Sequence, residues 1–292
     1  MISLLSGKQF PALTVYHNHY QMIIRARETL CIARISRLEG RRQLKVVVCV
    51  RRVPDTAARI RIASDGKSID TSDAEFVINP YEEYALEQAV QLKEKHGGEV
   101  TVVTLGPEKT TQVMMKALAL GADKAVHLKS DKIPEDPGSI AKVLANELKG
   151  LEFDVLLFGK KGVDDDNQQV GQMVAELLGV PCVTQIVKLE ISNGKAVAHR
   201  EVEEGSITVE TTFPAAFTAE KDLTVPRYAS LRELVAARKK PIVVKDIQLS
   251  MSSIEIVSIQ NPPPRPPGKI VGKGVDAVPT LVRLLHEEAK VI

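Results

Sequence analysis

The feature that most constrains the fold of this chain is a regular alternation of short apolar runs with longer amphipathic runs, which begins at Leu44. Continuous runs of β-branched and other apolar residues predict buried strands, whereas apolar residues three and four positions apart predict helices. Strands and helices that alternate in this way join through right-handed crossovers into a parallel sheet with helices on both faces. The sequence therefore predicts an α/β fold whose ligands bind beyond the carboxyl ends of the strands.

The individual elements follow from the same patterns. A hairpin is predicted over 59–70, where alternating apolar and polar residues flank Asp65-Gly66. In chain order the predicted strands are 45–50, 99–106, 124–128 and 153–159, and the predicted helices are 79–98, 110–122, 138–150 and 167–179.

The pattern changes after Pro181, where it predicts antiparallel strands with a turn at Asn193-Gly194. Ser230 is expected to cap a short helix that starts at Leu231. Beyond Pro241 we expect an irregular chain with a polyproline spacer, residues 260–269, and one last helix. A structured tail after such a spacer is expected to lie on another surface.

Composition is that of an ordinary globular protein and excludes several functions. Hydrophobic residues make up 44% and charged residues 26% of the chain. No apolar run approaches the roughly 20 residues of a membrane span, so direct membrane insertion is not expected. The three cysteines form no CxxC pair, which argues against a zinc site or a disulfide framework and favours a reducing compartment.

Residues 1–43 differ from the rest of the chain. They hold seven Lys or Arg against two acids, so the remaining residues carry a net charge of −3 within a total of +2. That balance argues against a nucleic-acid partner for the folded part. The segment has no secretory signal pattern, although its arginines suit a transit peptide. The preferred hypothesis is a disordered or non-native extension, because the first strong core strand starts at Leu44.

The stretch from Phe158 to Pro181 places three adjacent aspartates, Asp164 to Asp166, between two lysines and the start of a predicted helix. A metal site is one explanation, but adjacent side chains converge on one ion only in a dedicated loop, and the EF-hand spacing is absent. Helix capping is a second, with Asp166 at the N-cap and Gln169 three residues later, as in a capping box. A cap contributes about 1 kcal/mol and accounts for one aspartate.

A bound nucleotide is the third explanation, and it uses the whole stretch. Gly162 would let the backbone approach a ligand closely, the amides from Asn167 to Val170 would face a phosphate, and an acid could hold a ribose hydroxyl. Neither GxxxxGK[ST] nor GxGxxG is present. The residues by themselves favour an adenine-type nucleotide site without clear hydrolysis machinery.

The same stretch resembles the nucleotide-binding segment of the electron transfer flavoprotein beta subunit. Four more stretches resemble that family in the same order: VCVRRVPDT (48–56), VINPYEEYALEQAV (77–90), LGADKAVHL (120–128) and TAEKDLTVPRYASLRELVAARKKP (218–241). The resemblance runs from Leu44 to the C-terminus. It implies a Rossmann-like fold of the adenine nucleotide alpha hydrolase-like kind, with an antiparallel extension and a C-terminal arm.

Three regions are implied by this resemblance. Residues 1–43 have no family counterpart, residues 44–230 form the nucleotide-binding domain, and residues 231–292 form a docking helix and a C-terminal arm that packs on an alpha subunit. In the family, the alpha subunit of the heterodimer holds most of the FAD site, while the beta subunit binds AMP as a structural ligand. The pair is an electron carrier rather than an enzyme, so no catalytic residue and no metal are expected.

The resemblance also implies a place in metabolism. Electrons come from dehydrogenases, such as the acyl-CoA dehydrogenases of fatty acid beta-oxidation, and pass to the membrane-bound electron transfer flavoprotein–quinone oxidoreductase. The expected location is the cytoplasm of a bacterium or archaeon, or the mitochondrial matrix of a eukaryote. Leu231 matches the leucine that anchors the partner dehydrogenase, and Tyr81 matches the aromatic residue near the flavin.

The AMP site of the family maps onto eighteen residues of this chain. Cys49 is the one that burial statistics favour instead as a small buried hydrophobic residue. The mapped residues are Cys49, Asn79, Pro80, Tyr81, Glu82, Leu105, Gly159, Lys160, Lys161, Gly162, Val163, Asp164, Asp165, Asp166, Asn167, Gln168, Gln169 and Val170.

Two other functions stay open at this point. An ATP-hydrolysing or ATP-activating enzyme on a related fold would need a glycine–serine phosphate loop after the first strand, where this chain has VRRVPDT. An electron-bifurcating relative would bind a second FAD in the beta subunit. Such relatives tend towards GDTAQVGP in the loop, where this chain has DDDNQQVGQM. The AMP-binding carrier is therefore the preferred hypothesis.

Overall fold

The computed structural model describes residues 14–17, 20–22, 43–131, 133–192, 194–249, 252–264 and 267–292. Two compact units are present. The first contains the described residues up to Arg61 together with Ile69–Val257, and the second contains Ile62–Ser68 and Ser258–Ile292.

The strands and helices agree closely with the predicted segments between 44 and 180. The α-helices are α1 (Pro80–His96), α2 (Thr111–Ala119), α3 (Pro137–Leu148), α4 (Val170–Leu178), α5 (Leu231–Ala237) and α6 (Val278–Glu287). The strands are β1 (Thr14–His17), β2 (Tyr20–Met22), β3 (Leu44–Cys49), β4 (Arg52–Pro54), β5 (Arg61–Ile62), β6 (Ile69–Asp70), β7 (Phe76–Ile78), β8 (Gly98–Gly106), β9 (Lys124–Lys129), β10 (Val155–Gly159), β11 (Cys182–Ser192), β12 (Lys195–Val202), β13 (Gly205–Thr212), β14 (Ala215–Ala219) and β15 (Ile242–Asp246).

One large sheet organises the first unit, and its strand order is β15-β9-β8-β3-β10-β14-β11-β12-β13-β1-β2. Neighbouring strands are parallel from β15 to β11 and antiparallel from β11 onwards. β4 pairs with β7, and β5 pairs with β6 in the predicted hairpin. The structure therefore confirms the α/β class with an antiparallel extension.

The core lies on both faces of this sheet because the side chains of each strand alternate between the faces. Val46 and Val48 of β3 belong to one buried cluster, which α1 and α2 cover. Val47 and Cys49 belong to a second cluster, which α3 and α4 cover. A strand that is buried on both faces needs a continuous apolar run, and the sequence around Val46–Val50 supplies one.

Two predictions for the C-terminal half need correction. The segment after Pro181 is not wholly antiparallel, because β14 lies between β10 and β11 and is parallel to both. The chain beyond Pro241 is not simply irregular, because β15 pairs in parallel with β9 at the edge of the sheet. The β11–β12 hairpin is present, with Ser192 opposite Lys195, while Asn193 of its predicted turn lies outside the described residues.

The compact units divide the chain at positions other than the predicted boundary at 230/231, and the predicted domains stay a prediction. The first unit continues past residue 230 to Val257, because β15 and the residues after it pack with the sheet. In the N-terminal segment, β1 pairs antiparallel with β13 and β2 pairs with β1. Other residues of 1–42 lie outside the described residues, so the prediction of a disordered or non-native extension at 1–43 stays a prediction.

The second unit contains the C-terminal arm. Its predicted spacer has no regular secondary structure at 260–264 and 267–269, and Arg265 and Pro266 lie outside the described residues. The Ile259 amide donates to the Gly66 carbonyl at 2.8 Å. Helix α6 confirms the last predicted helix.

Candidate functional site

The candidate site lies at the carboxyl ends of β3 and β10. The chain runs from β3 to β8 and β9 on one side and later to β10 and β14 on the other, so the strand order reverses beside β3. Open α/β sheets bind ligands at this switch point. A crevice of about 710 Å³, counting the open solvent at its mouth, is present there. Its lining includes Cys49, Arg51, Glu82, Leu105, Ile133, Ile140, Leu144, Phe158, Gly159, Lys160, Lys161, Gly162, Asp165, Asn167, Gln168, Gln169, Val170 and Gly171.

Asn79 holds the loop that follows β10. Its side chain is fully buried, and its Nδ2 donates to the Lys161 carbonyl at 2.8 Å. Its Oδ1 accepts the Val163 amide at 3.2 Å. Asn79 is also the N-cap residue of α1, with Pro80 in the first turn, but its side chain makes no capping bond. The side chain is therefore used to shape the loop rather than to cap the helix.

Gly159 lets the start of α1 approach the end of β10. A Cβ atom at Gly159 would lie 2.8 Å from the Tyr81 Cβ and 2.9 Å from the Glu82 Cγ. Both contacts are shorter than carbon atoms tolerate, and both involve atoms close to the backbone, which cannot move aside cheaply. The family-mapped residues Tyr81 and Glu82 are thereby brought against the loop.

Arg51 accounts for two of the three aspartates. Its guanidinium contacts the Asp164 carboxylate at 2.8 Å and the Asp165 carboxylate at 2.5 Å. Burial raises the pKa of Asp164, while the Arg51 charge opposes that shift. A Cβ at Gly162 would lie 2.4 Å from Asp164 Oδ1 and 2.8 Å from the Arg51 guanidinium. Gly162 therefore makes room for this ion cluster, and the predicted close approach of its backbone to a ligand stays a prediction.

The third aspartate does not cap the helix, so the capping explanation is wrong. Helix α4 begins at Val170, its N-cap residue is Gln169, and no side chain makes a capping bond. Asp166 lies in the left-handed region with a φ of 54°, and its amide donates to the Gly162 carbonyl at 3.0 Å. Because of this tight turn, α4 begins at Val170, three residues after the predicted start at 167. The Asp166 carboxylate contacts Lys161 at 2.8 Å.

The first turn of α4 lines the crevice, and the amides of a first turn have no acceptor within the helix. The amide of Asn167, which was predicted to face a phosphate, instead donates a hydrogen bond to Asp165 Oδ1 at 3.2 Å. The first amide that bonds into the helix is that of Met173, which donates to the Gln169 carbonyl at 3.0 Å. Amides before it in the first turn have no intrahelical acceptor, and such helix starts bind anions. The amides of Val170 and Gly171 are therefore available candidates for an anion, and the predicted phosphate site at Asn167–Val170 stays a prediction.

Glu82 is a buried carboxyl group in the crevice wall. Burial raises its pKa to about 8, although a hydrogen bond from the Arg51 amide and the Arg51 charge act in the opposite direction. Near neutral pH much of this group is therefore protonated and can donate a hydrogen bond. Burial also raises the pKa of the Cys49 thiol. Cys49 is thus a neutral apolar part of the wall, as its burial predicts.

The two lysines of the loop are also paired with acids. Lys160 contacts the Glu220 carboxylate at 2.5 Å, and its ammonium lies 5.2 Å from the centre of the Tyr81 ring. Lys161 contacts Asp166, as described above. Only Asp166 is therefore paired within the loop, whereas the other charges of the loop pair with Arg51 and Glu220.

Sequence reasoning missed several residues of the crevice. Arg51 follows β3 and resembles any surface arginine in the sequence. Ile140 and Leu144 lie one turn apart on α3 and form an apolar wall together with Ile133 and Leu105. The spacing of Ile140 and Leu144 is visible in the sequence, but it is equally typical of a helix face that packs only on the sheet.

Leu231 is the first residue of α5 and is not in the crevice lining. Its side chain is 82% exposed. Ser230 caps α5 through a capping box with Glu233, which confirms the predicted cap. Packing of Leu231 into its own domain is therefore excluded.

Two further observations limit the chemistry. Within the described ranges, no three His, Cys, Asp or Glu side chains are arranged to hold a metal ion. In the same part of the chain, no helix has both the length and the apolarity needed to cross a membrane.

Comparison with known proteins gives a consistent result. A family model described as the electron transfer flavoprotein domain matches residues 67–249. The electron transfer flavoprotein subunit beta of Bacillus subtilis (strain 168) is 40% identical over 259 residues, which cover 85% of this chain and 100% of the relative. The mitochondrial subunit beta of Arabidopsis thaliana is 38% identical over 85% of this chain and 100% of its own. For the Homo sapiens subunit beta the identity is 35%, over 82% of this chain and 97% of the relative. This chain belongs to the electron transfer flavoprotein beta-subunit family.

Proposed function

We propose that this chain is the beta subunit of a heterodimeric electron carrier and that its crevice binds one AMP as a structural ligand. An alpha subunit holds most of the FAD, which supplies the electron-transfer chemistry when bound. Family membership supports the role as a carrier, and the pairing of charges around the crevice supports AMP.

The charge pairing is the observation on which the choice of nucleotide rests. Arg51, Lys160 and Lys161 are each in contact with carboxylates. A triphosphate or a pyrophosphate would bring several further negative charges to this loop and would need cations that are not already paired. A single phosphate needs only the backbone donors at the start of α4. The crevice therefore suits AMP better than ATP or a second FAD.

Each part of the crevice has a role in this proposal. The apolar wall of Ile133, Ile140 and Leu144 accepts the adenine, and the amides at Val170 and Gly171 bind the phosphate. The protonated carboxyl group of Glu82 donates a hydrogen bond to a ring nitrogen or to a ribose oxygen of the nucleotide. The nucleotide then ties the loop after β10 to α3 and α4, which is a structural role without turnover.

The experiment that tests this proposal is the quantification of nucleotides. The purified heterodimer is denatured, and the released flavin and adenine nucleotides are separated and counted. We expect one FAD and one AMP per heterodimer. Two FAD and no AMP would support the electron-bifurcating alternative, and bound ATP with release of ADP would support an enzyme.

We further propose that α5 docks on electron-donor dehydrogenases of the acyl-CoA dehydrogenase type through Leu231, and that Tyr81 lies near the flavin. The exposure of Leu231 on a capped helix supports docking. Electrons then pass to the membrane-bound electron transfer flavoprotein–quinone oxidoreductase. Reoxidation of the reduced heterodimer by that oxidoreductase in vesicles tests the acceptor, and failure to reoxidise contradicts it.

The C-terminal arm is proposed to pack on the alpha subunit. Helix α6 has none of its residues buried, although its face carries Val278, Leu281 and Val282. Exposed apolar residues on an amphipathic helix are typical of a surface that a partner covers. Leu281→Glu is expected to lower the yield of heterodimer on co-expression, and an unchanged yield contradicts this packing.

The carrier is proposed to work in the cytoplasm of a bacterium or archaeon, or in the mitochondrial matrix of a eukaryote. Relatives from both kinds of organism, including a plant protein named as mitochondrial, support this range. Fractionation of the source cells tests it.

A further inference from the structure

The residues around Leu231 present apolar side chains to solvent. We define the docking segment as residues 224–240 and its apolar strip as Tyr228, Leu231 and Val235. These three side chains are 97%, 82% and 60% exposed. Ala237 is the buried residue of α5. Ala229 of the segment also packs against the core. Burial of alanines contributes little compared with a leucine or a phenylalanine, so polar contacts have a large part in holding this segment in its orientation.

Arg227 anchors the beginning of the docking segment to α1. Its guanidinium makes a two-pronged contact with Glu87, with Nε–Oε2 at 2.8 Å and Nη2–Oε1 at 2.9 Å. It also contacts Glu94 at 2.7 and 3.1 Å. Glu87 is buried, whereas Glu94 is exposed. Thr224 adds a hydrogen bond to the Tyr84 carbonyl at 3.0 Å. The contacts run along two turns of α1, from Glu87 to Glu94.

Lys240 anchors the other end of the segment to α2. Its ammonium donates to the Leu118 carbonyl at 2.8 Å and to the Ala122 carbonyl at 2.6 Å. These carbonyls lie at the C-terminal end of α2, where a positive charge is favourable. The apolar strip therefore lies between two anchoring residues, Arg227 on the α1 side and Lys240 on the α2 side.

We propose that Arg227 and Lys240 are positioning residues that fix the orientation of the apolar strip for docking on an electron-donor protein. This inference rests on the proposed docking function, because it assumes that the strip is the contact surface. A segment held in its bound orientation loses less conformational entropy on association. Loss of an anchor therefore weakens docking and leaves the electron-transfer step within the docked complex unchanged.

The test uses the complete heterodimer with an acyl-CoA dehydrogenase from the same organism. Arg227→Met is expected to raise the KM for the carrier about three- to tenfold, the range that the ordering of one or two side chains implies. Its kcat should stay within about twofold of the parent value on the same ground. Arg227→Lys should give an intermediate KM, because a lysine cannot make the two-pronged contact.

A second set of variants keeps the test valid if Arg227→Met leaves the buried Glu87 unpaired and fails to fold. Glu94→Gln removes the exposed half of the clamp, and Lys240→Met removes the other anchor. Both are expected to raise KM about twofold or more. The matched control is Lys116→Met, which removes a surface ion pair with Glu83 at 2.6 Å, outside the docking segment. It should leave KM unchanged, and flavin content should be the same in all variants.

Leu231→Ala separates this inference from the proposed function. If Leu231→Ala leaves KM unchanged, the docking function itself is wrong. If Leu231→Ala raises KM while the Arg227, Glu94 and Lys240 variants behave like Lys116→Met, docking stands and the positioning role is overturned. Positioning also predicts that Arg227→Lys has less effect in the Leu231→Ala background than alone, since both act on one contact. Full additivity would overturn it.

Discussion

Two arginines hold two irregular segments of this molecule against the same helix, with opposite results. Arg51 lies between Asp164 and Asp165, and its amide donates to Glu82 at the start of α1. Arg227 lies between the carboxylates of Glu87 and Glu94, which are further along α1. In both cases one guanidinium with fixed geometry satisfies two carboxylates. One segment forms the wall of a crevice, and the other forms an exposed surface.

The difference lies in where the apolar side chains are. Around the crevice, Leu144 is buried and Ile140 partly buried, so apolar surface lines the inside of the site. On the docking segment, Tyr228 and Leu231 are exposed. In the proposed functions, similar ion clusters thus border a binding site for a small ligand in one region and a surface that enters a protein pocket in the other. In both regions the ion pairs hold the backbone of the segment in place. Whether its apolar side chains are buried or exposed then determines which kind of partner the region suits.

The largest effect is expected from filling the space beside the crevice loop. Gly159→Val places a side chain against the Tyr81 Cβ and the Glu82 Cγ, so α1 must move away from β10. We expect less than about a tenth of the parent AMP content, since a shift of 1.4 kcal/mol is a factor of ten. The measurement is AMP released per heterodimer.

Two other glycines sharpen this result. Gly162→Val meets the flexible ends of Arg51, Asp164 and Asp165, so it should lower AMP content less than Gly159→Val does. Gly268→Val has open space around it and is the matched control. Equal AMP content in Gly159→Val and Gly268→Val would show that the loop does not hold the nucleotide.

The next effect concerns the exposed surface. Leu231→Ala should slow electron transfer from the dehydrogenase about tenfold, because filling an apolar pocket with leucine contributes roughly 1.5 to 3 kcal/mol. Flavin and AMP content should stay at parent values. Leu177→Ala, also a partly exposed leucine on a helix, is the control. Loss of flavin in Leu231→Ala but not in the control would place Leu231 in the subunit interface instead.

A smaller, pH-dependent effect is expected at the crevice. Burial raises the pKa of Glu82 to about 8, in the presence of Arg51, Asn79, Asp164 and Cys49. Between pH 4.5 and 8 the folded state keeps a proton that the unfolded state has lost, so this group lowers stability as pH rises. The slope is at most about 1.4 kcal/mol per pH unit.

Glu82→Gln removes this titration. The unfolding free energy of the parent heterodimer, relative to Glu82→Gln, should therefore fall as pH rises from 5 to 8. Glu83→Gln, at the next residue on α1, is the matched control for the loss of a carboxylate in this turn. A parent and a Glu82→Gln variant with the same pH dependence would contradict a buried protonated carboxyl group.

The smallest effect is expected from removing residues 1–43. The described contacts of both arginine clusters are with residues beyond Leu44, so heterodimer yield and AMP content should not change, and the melting temperature should shift by less than about 2 °C. Amide exchange in β13 should become faster, because Thr14–His17 pairs with residues 207–210. A large loss of yield would show that this segment supports the fold.

The sequence by itself determined the elements of the parallel sheet. The runs at 45–50 and 153–159 can be read locally, because a strand buried on both faces needs continuous apolar residues. The capped helix at Leu231 was also predictable, because Ser230 and Glu233 act within one turn. Family resemblance added the crevice residues, since no general motif marks this loop.

Only the tertiary structure decided how distant segments meet. β14 reads as one more strand of an antiparallel series, yet it is parallel between β10 and β11, because sheet order depends on the packing of the whole chain. Asp166 reads as a helix cap, but Arg51, more than a hundred residues earlier in the chain, holds the acidic turn and delays the helix. Arg227 and Glu87 are likewise far apart in the chain. Charge pairs of this kind leave no local pattern, because either residue alone is an ordinary surface charge until the fold brings them together.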